Sequence, residues 1–180
     1  MKKFLTTFIL SSITALVFAQ ALKPVDERSK VRFVIKNFGI NTGGTFTGLS
    51  GTINFDPADP ATAAFDVNVE AKTIDTDVES RDNHLRKEEY FNVEKFPTIN
   101  IKSTKVTKTN STDFLYLFGN ITIKGVSKEI KFPFKATAKD DGFLFEGNFK
   151  LNRRDFGVGG SSLSLSDELT VNLSVFAKKG

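Results

Sequence analysis

The chain has 180 residues, no cysteine and one histidine, His84. One domain fits that length, disulfides and thiolate chemistry are excluded, and a His-rich zinc site cannot be built. Without Lys2 and Lys3, the 25 basic residues fall to 23 against 21 acidic ones, a net charge of about +2. The basic residues are scattered among the acids, so composition gives no case for a nucleic-acid partner.

The N-terminus reads as a secretory signal peptide over residues 1–21. Lys2 and Lys3 precede an uncharged run from Phe4 to Phe18, and Ala19-Gln20-Ala21 offers cleavage after Ala19 or after Ala21. The run is short for a membrane span, and no cysteine follows it to carry a lipid anchor. Residues 22–180 are then the exported domain, which has no second run long enough to span a membrane. Phenylalanine is its compositional outlier. Phe4, Phe8 and Phe18 belong to the leader, leaving sixteen of the 19 for the domain. Phe supplies bulk with no polar handle, which suits either an ordinary core or a lined apolar cavity.

Along the domain, apolar and polar residues alternate with period two, the mark of half-buried strands. Val31, Phe33 and Ile35 open the first strand. Asn41 to Gly44 reads as a turn, and Thr45 to Phe55 as a strand bent at Gly48 and Gly51. Asp56-Pro57 to Asp59-Pro60 is a loop, and Phe65, Val67, Val69 and Ala71 form the next strand. Thr76-x-x-Glu79 has the form of a capping box and predicts a polar helix over about 77–89. Strands resume at 98–106, 114–123, 129–138, 143–151 and 168–177, joined at Lys124-Gly125 and at Asp140-Asp141-Gly142. Eight antiparallel strands suit an up-and-down barrel or a sandwich. A barrel of that size is filled by side chains or holds one small ligand.

Catalytic constellations are scarce. No nucleophile-elbow motif accompanies His84, and the paired acids at Asp56/Asp59 and Asp140/Asp141 fall where turn chemistry favours Asp. An enzyme is not the expected reading. Residues 81–89 pack six charged residues and His84 into nine positions, and a helix places Arg81, His84 and Leu85 on one face. That face reads as a lid on the sheet. Arg81 and His84, with Arg86 nearby, are then candidate donors to a polar head group at a pocket mouth, and Leu85 is the contact with the sheet.

Read together, the motifs resemble the YceI-like, polyisoprenoid-binding family. The carrying residues include Val31-x-Phe33-x-Ile35-Lys36, Gly44-x-Phe46-x-Gly48, Arg81-Asp82-x-His84-Leu85-Arg86, Phe96-Pro97-Thr98-Ile99 and Asn152-Arg153-x-Asp155-Phe156-Gly157. The pattern departs from the family's at Asn37, where His is usual, and at Asn92 and Ser127. The resemblance implies an all-β, eight-stranded, lipocalin-like antiparallel barrel with one short helix at its end. It also implies export to the periplasm, with secretion as the alternative. The implied ligand is a hydrophobic small molecule (isoprenoid, quinone or fatty amphiphile) held inside, with no metal or other cofactor. A homodimer is an accessible assembly for such families. On this basis Arg81, His84, Asn152 and Arg153 are assigned to the polar end of the site, and Phe33, Phe46, Phe55, Leu85, Phe118 and Phe156 to its apolar lining.

Overall fold

The computed structural model describes residues 21–111 and 113–180; the leader reading of residues 1–20 lies outside them. Ten strands form one antiparallel sheet: β1 (Leu22–Pro24), β2 (Lys30–Asn37), β3 (Ile40–Phe46), β4 (Ser50–Asn54), β5 (Ala64–Glu70), β6 (Thr98–Lys108), β7 (Leu115–Ile123), β8 (Val126–Lys139), β9 (Gly142–Asn152) and β10 (Leu165–Lys179). Among the described residues the single α-helix, α1, spans Glu79–Leu85. Eight strands close a barrel in the order β1, β4, β5, β6, β7, β8, β9, β10 and back to β1.

Closure depends on the length of β10. Its fifteen residues extend for about 50 Å at the usual rise per strand residue. One edge pairs with β9 from Glu168 to Lys178. The other edge is shared, with Ala177–Lys179 on β1 and Leu165–Ser174 on β2. The β2–β3 hairpin therefore carries the wall upward beyond β1. Thr45 and Asp75 exchange backbone hydrogen bonds at 2.8 and 3.1 Å, and Glu70 N–H donates to Thr47 O, which joins β3 to the top of β5. The barrel is thus walled at both ends. At its upper end lie α1, the β2–β3 and β7–β8 turns, and the loop after β9.

Period-two alternation drives these pairings. Phe65 and Val69 of β5, Leu117, Ile121 and Ile123 of β7, and Phe132 and Phe134 of β8 all point inward and are buried. Each such side chain stabilises the fold by about 1.5–3 kcal/mol relative to exposure. The lower end is plugged by rings: Phe55 packs edge-on against Phe143 and Phe145, with centroids 5.1 and 5.2 Å away.

Three local expectations are corrected. The turn after β2 is Phe38-Gly39, not Asn41–Gly44. Both residues have positive φ (49° and 78°), the requirement of a two-residue hairpin turn matched to strand twist. Asn41 to Gly44 belong to β3, where Gly44 lets the Asp75–Thr76 segment approach. A Cβ there would lie 2.4 Å from Asp75 O. The predicted strand over 45–55 is two strands, β3 and β4, parted around Gly48 (φ 73°). The helix is shorter than 77–89, because Asp77 turns the chain with φ of 62° and Val78 holds the N-cap position. Thr76 is not a cap. Its hydroxyl is engaged by Arg81 and Asp82 instead.

Candidate ligand cavity

The barrel encloses a cavity of about 250 Å³, close to the lower end of the range for small-molecule sites. Its wall is almost entirely carbon. Phe65, Phe132, Phe134 and Phe145 line it deep in the barrel, and Leu165, Leu169, Val171 and Leu173 of β10 carry it to the upper end. The inward residues of β2 (Val31, Phe33, Ile35, Asn37) run up the adjacent wall. Tyr90 and Phe91, just after α1, and Leu85 within it form part of the cover.

Polar groups reach the cavity chiefly at that upper end. Arg81 lines it half-buried, with Nε donating to Thr76 Oγ1 at 2.8 Å and Nη2 to Thr76 O at 2.7 Å. The buried carboxylate of Asp82 accepts from the Thr76 backbone N–H at 2.9 Å and from its hydroxyl. Arg86 spends its guanidinium on Lys72 O, Ile74 O and Asn83 Oδ1. The charged α1 motif therefore ties the cover to the chain before it. Arg153 is buried in the wall and donates through Nε, Nη1 and Nη2 to Ser166 O, Val158 O and Asp167. Its charge is met by the Asp167 carboxylate at 2.7 Å, which orders the loop after β9.

Of the predicted polar set, the cavity brings together Arg81 and Arg153. His84 is exposed and packs edge-on against Tyr90, with ring centroids 4.8 Å apart. Asn152 is exposed and accepts a hydrogen bond from the Arg154 N–H, capping the short 3₁₀ turn over Arg153–Phe156. Neither lines the cavity. Of the predicted apolar set, Phe33, Phe46, Leu85 and Phe156 line it. Phe55 belongs to the plug below. Phe118 faces outward beside Tyr116, with the Lys131 ammonium over its ring at 5.0 Å. Its even position on β7 opposes the inward, odd-numbered Leu117 and Ile121.

Residue type does not single out Asn37 as a site residue, although the β2 alternation puts it on the inward face. It lines the cavity, and its side-chain oxygen is shielded from solvent without a hydrogen-bond partner. Among the described residues it is the only buried side-chain polar atom in that state. Such a group costs about 1–3 kcal/mol if left unmet, so it calls for an explanation. Among the described residues no cluster of three His, Asp or Glu is placed to hold a metal, and no helix is long and apolar enough to cross a membrane.

A closed eight-stranded antiparallel barrel with an apolar cavity and a few polar groups at one end belongs to the small closed β-barrels, a class that includes ligand holders. Residues 22–177 match the model of the YceI-like domain, and the chain belongs to that family. It is 32% identical over 189 residues to the protein YceI of Salmonella arizonae, covering 97% of each chain. Among solved structures it resembles BcnA of Burkholderia cenocepacia (TM-score 0.80, 21% identity, 84% of this chain and 98% of that one). It also resembles the YceI protein of Campylobacter jejuni (TM-score 0.70, 25% identity, 100% and 99%). A polyisoprenoid-binding domain of Saccharophagus degradans implicated in plant cell wall breakdown shares the fold (TM-score 0.70, 11% identity, 89% and 99%).

Proposed function

We propose that this protein is an exported, periplasmic carrier that holds a long-chain isoprenoid or similar amphiphile inside its barrel. The observation that carries the reading is the carbon-lined cavity ending at the unpartnered side-chain oxygen of Asn37. Membership of the YceI-like family and the polyisoprenoid-binding description of the Saccharophagus degradans domain support the ligand class. The leader-like residues 1–21 support export.

The physics explains why such a ligand needs an enclosed site. Each buried methylene is worth about 0.8 kcal/mol, so a long prenyl chain has almost no free concentration in water. A carrier competes with the membrane, and its net preference is a small difference between two large terms. The reading is one of binding rather than turnover, which the YceI-like family and the polyisoprenoid-binding neighbour support.

Native mass spectrometry of protein purified from its own cell, followed by solvent extraction and lipid identification, tests this. The expected result is a stoichiometric adduct released as an isoprenoid-type lipid. A bare protein mass that persists after incubation with geranylgeraniol would overturn the proposal.

A further inference from the structure

Exposed apolar side chains are unevenly distributed over the barrel. Among the described residues six large ones are exposed: Phe38, Ile40, Val78, Phe114, Val126 and Leu163. Strand direction places five of them at the upper end. Phe38 lies in the β2–β3 turn and Ile40 follows it, Val78 precedes α1, and Val126 follows the β7–β8 turn. Leu163 lies in the loop before β10. Only Phe114, which precedes β7, sits at the lower end.

Three of the five protrude together. Phe38 is 81% exposed, Ile40 72%, and Leu163 is fully exposed. Their two loops are joined where the Phe38 N–H donates to Ser164 O at 2.8 Å. Asn37 and Leu165, the immediate chain neighbours of this pair, line the cavity and are register partners. The protruding tips are therefore the rim of the ligand space.

We infer that this rim is a membrane-docking surface: Phe38, Ile40 and Leu163 enter the interfacial region of a lipid bilayer and set the cavity mouth against it. Two arguments favour a bilayer over a second copy of the chain. The first is area. Even if the two aliphatic tips matched the roughly 200 Å² of an aromatic ring, the three would offer about 600 Å², short of the roughly 800 Å² per partner in a stable protein pair. The second is shape and charge. The tips stand on separate loops, as anchors that insert, rather than forming a flat face. The upper end also mixes Lys72, Arg86 and Lys87 with Asp77, Glu79 and Glu88, so it presents no single-sign field to steer a charged protein partner. Insertion of this kind depends on apolar burial and is only weakly sensitive to salt. A route from bilayer to cavity follows, in which the ligand's chain never crosses bulk water. That loading step rests on the carrier reading; the docking does not.

The test uses protein purified in the form its cell accumulates, and phosphatidylcholine vesicles. The triple variant F38S/I40S/L163S changes only exposed side chains, so its unfolding temperature should match the parent's. F114S, at the opposite end, is the control. The expected result is flotation of the parent and of F114S with vesicles at low and high salt, and about tenfold weaker flotation of the triple variant. Uptake of geranylgeraniol from vesicles should slow by a similar factor in the triple variant, while uptake from detergent stays unchanged. Docking is overturned if the parent does not float or if the triple variant floats equally well. It is also overturned if the triple substitution instead halves the mass in solution, which would assign the rim to a second copy. Failure of the parent to take up the prenol from detergent would remove the carrier reading and leave flotation alone to judge the docking.

Discussion

Asp82 holds Thr76 at two points, taking hydrogen bonds from its backbone N–H and its hydroxyl. Both residues are buried, and Arg81 completes the unit by donating to the same hydroxyl and to the Thr76 carbonyl. Seven residues of helix have little intrinsic stability in water. This cluster, with Arg86 on Lys72 O and Ile74 O, is what keeps α1 over the barrel.

Replacing Asp82 by Ala leaves the Thr76 N–H buried and unmet. The expected cost is about 1–3 kcal/mol, read as a lower denaturant midpoint with an unchanged slope. Amide exchange should rise over residues 76–86 more than in β7 or β8. Uniform loss of protection across the barrel would mean that the cluster supports the whole fold rather than its cover.

Asp66 gives an electrostatic handle on stability. On the outer face of β5, hydrogen bonds from Asn100 and Lys102 hold its carboxyl below the ordinary 3.8. A carboxylate with a lowered folded pKa adds stability above its unfolded pKa and loses it as pH falls through the folded value. Asp66→Asn should therefore be slightly less stable than the parent at neutral pH. The gap should close as pH drops below about 3.8. The effect is small because the pair is half exposed. A gap unchanged by acid, in paired melts from pH 7 to pH 2, would remove the charge as its source.

The strands were legible because period two survives in β5, β7, β8 and β10, where one face is buried. Less legible was what depends on register. Residue type makes Phe118 a lining candidate, yet its neighbours Leu117 and Ile121 already fix the inward parity of β7 as odd. Asn37 continues the inward series Val31, Phe33, Ile35, so the pattern placed it even though its type did not suggest a site. Arg81 and Arg153 were found as motif residues. Their bonds to Thr76, Ser166, Val158 and Asp167 could not be read, because they span loops whose shape only the folded barrel sets. The helix ended early for a similar reason. Tyr90 and Phe91 are drawn to the cavity wall, and the Phe91 N–H returns to Leu85 O, which local helix signals do not encode.

Asn37→Leu removes the orphaned carboxamide while keeping bulk. If that group meets the ligand's polar end, affinity for geranylgeraniol should fall about fivefold to tenfold, the worth of one hydrogen bond. Affinity for squalene, which has no polar end, should hold or rise. Thermal stability should increase, since a buried unmet polar atom is gone. Equal losses for both probes would show that Asn37 shapes the wall rather than contacting a head group.

Val171 offers a way to close the cavity from within. It sits midway along β10, half-buried, with Phe149 of β9 and Phe33 of β2 as register partners. Val171→Phe directs a ring into the space the ligand would occupy. Because that space is open, the substitution should cost less than the roughly 1–3 kcal/mol usual for overpacking a filled core. The expected outcome is a folded barrel with near-parental circular dichroism and no bound lipid in native mass spectra. Phe118→Ala, outside the wall, should keep its lipid. The pair separates a ligand in the barrel from one on the outer surface. A Val171→Phe protein that still carries a full complement of lipid would put the ligand outside the cavity.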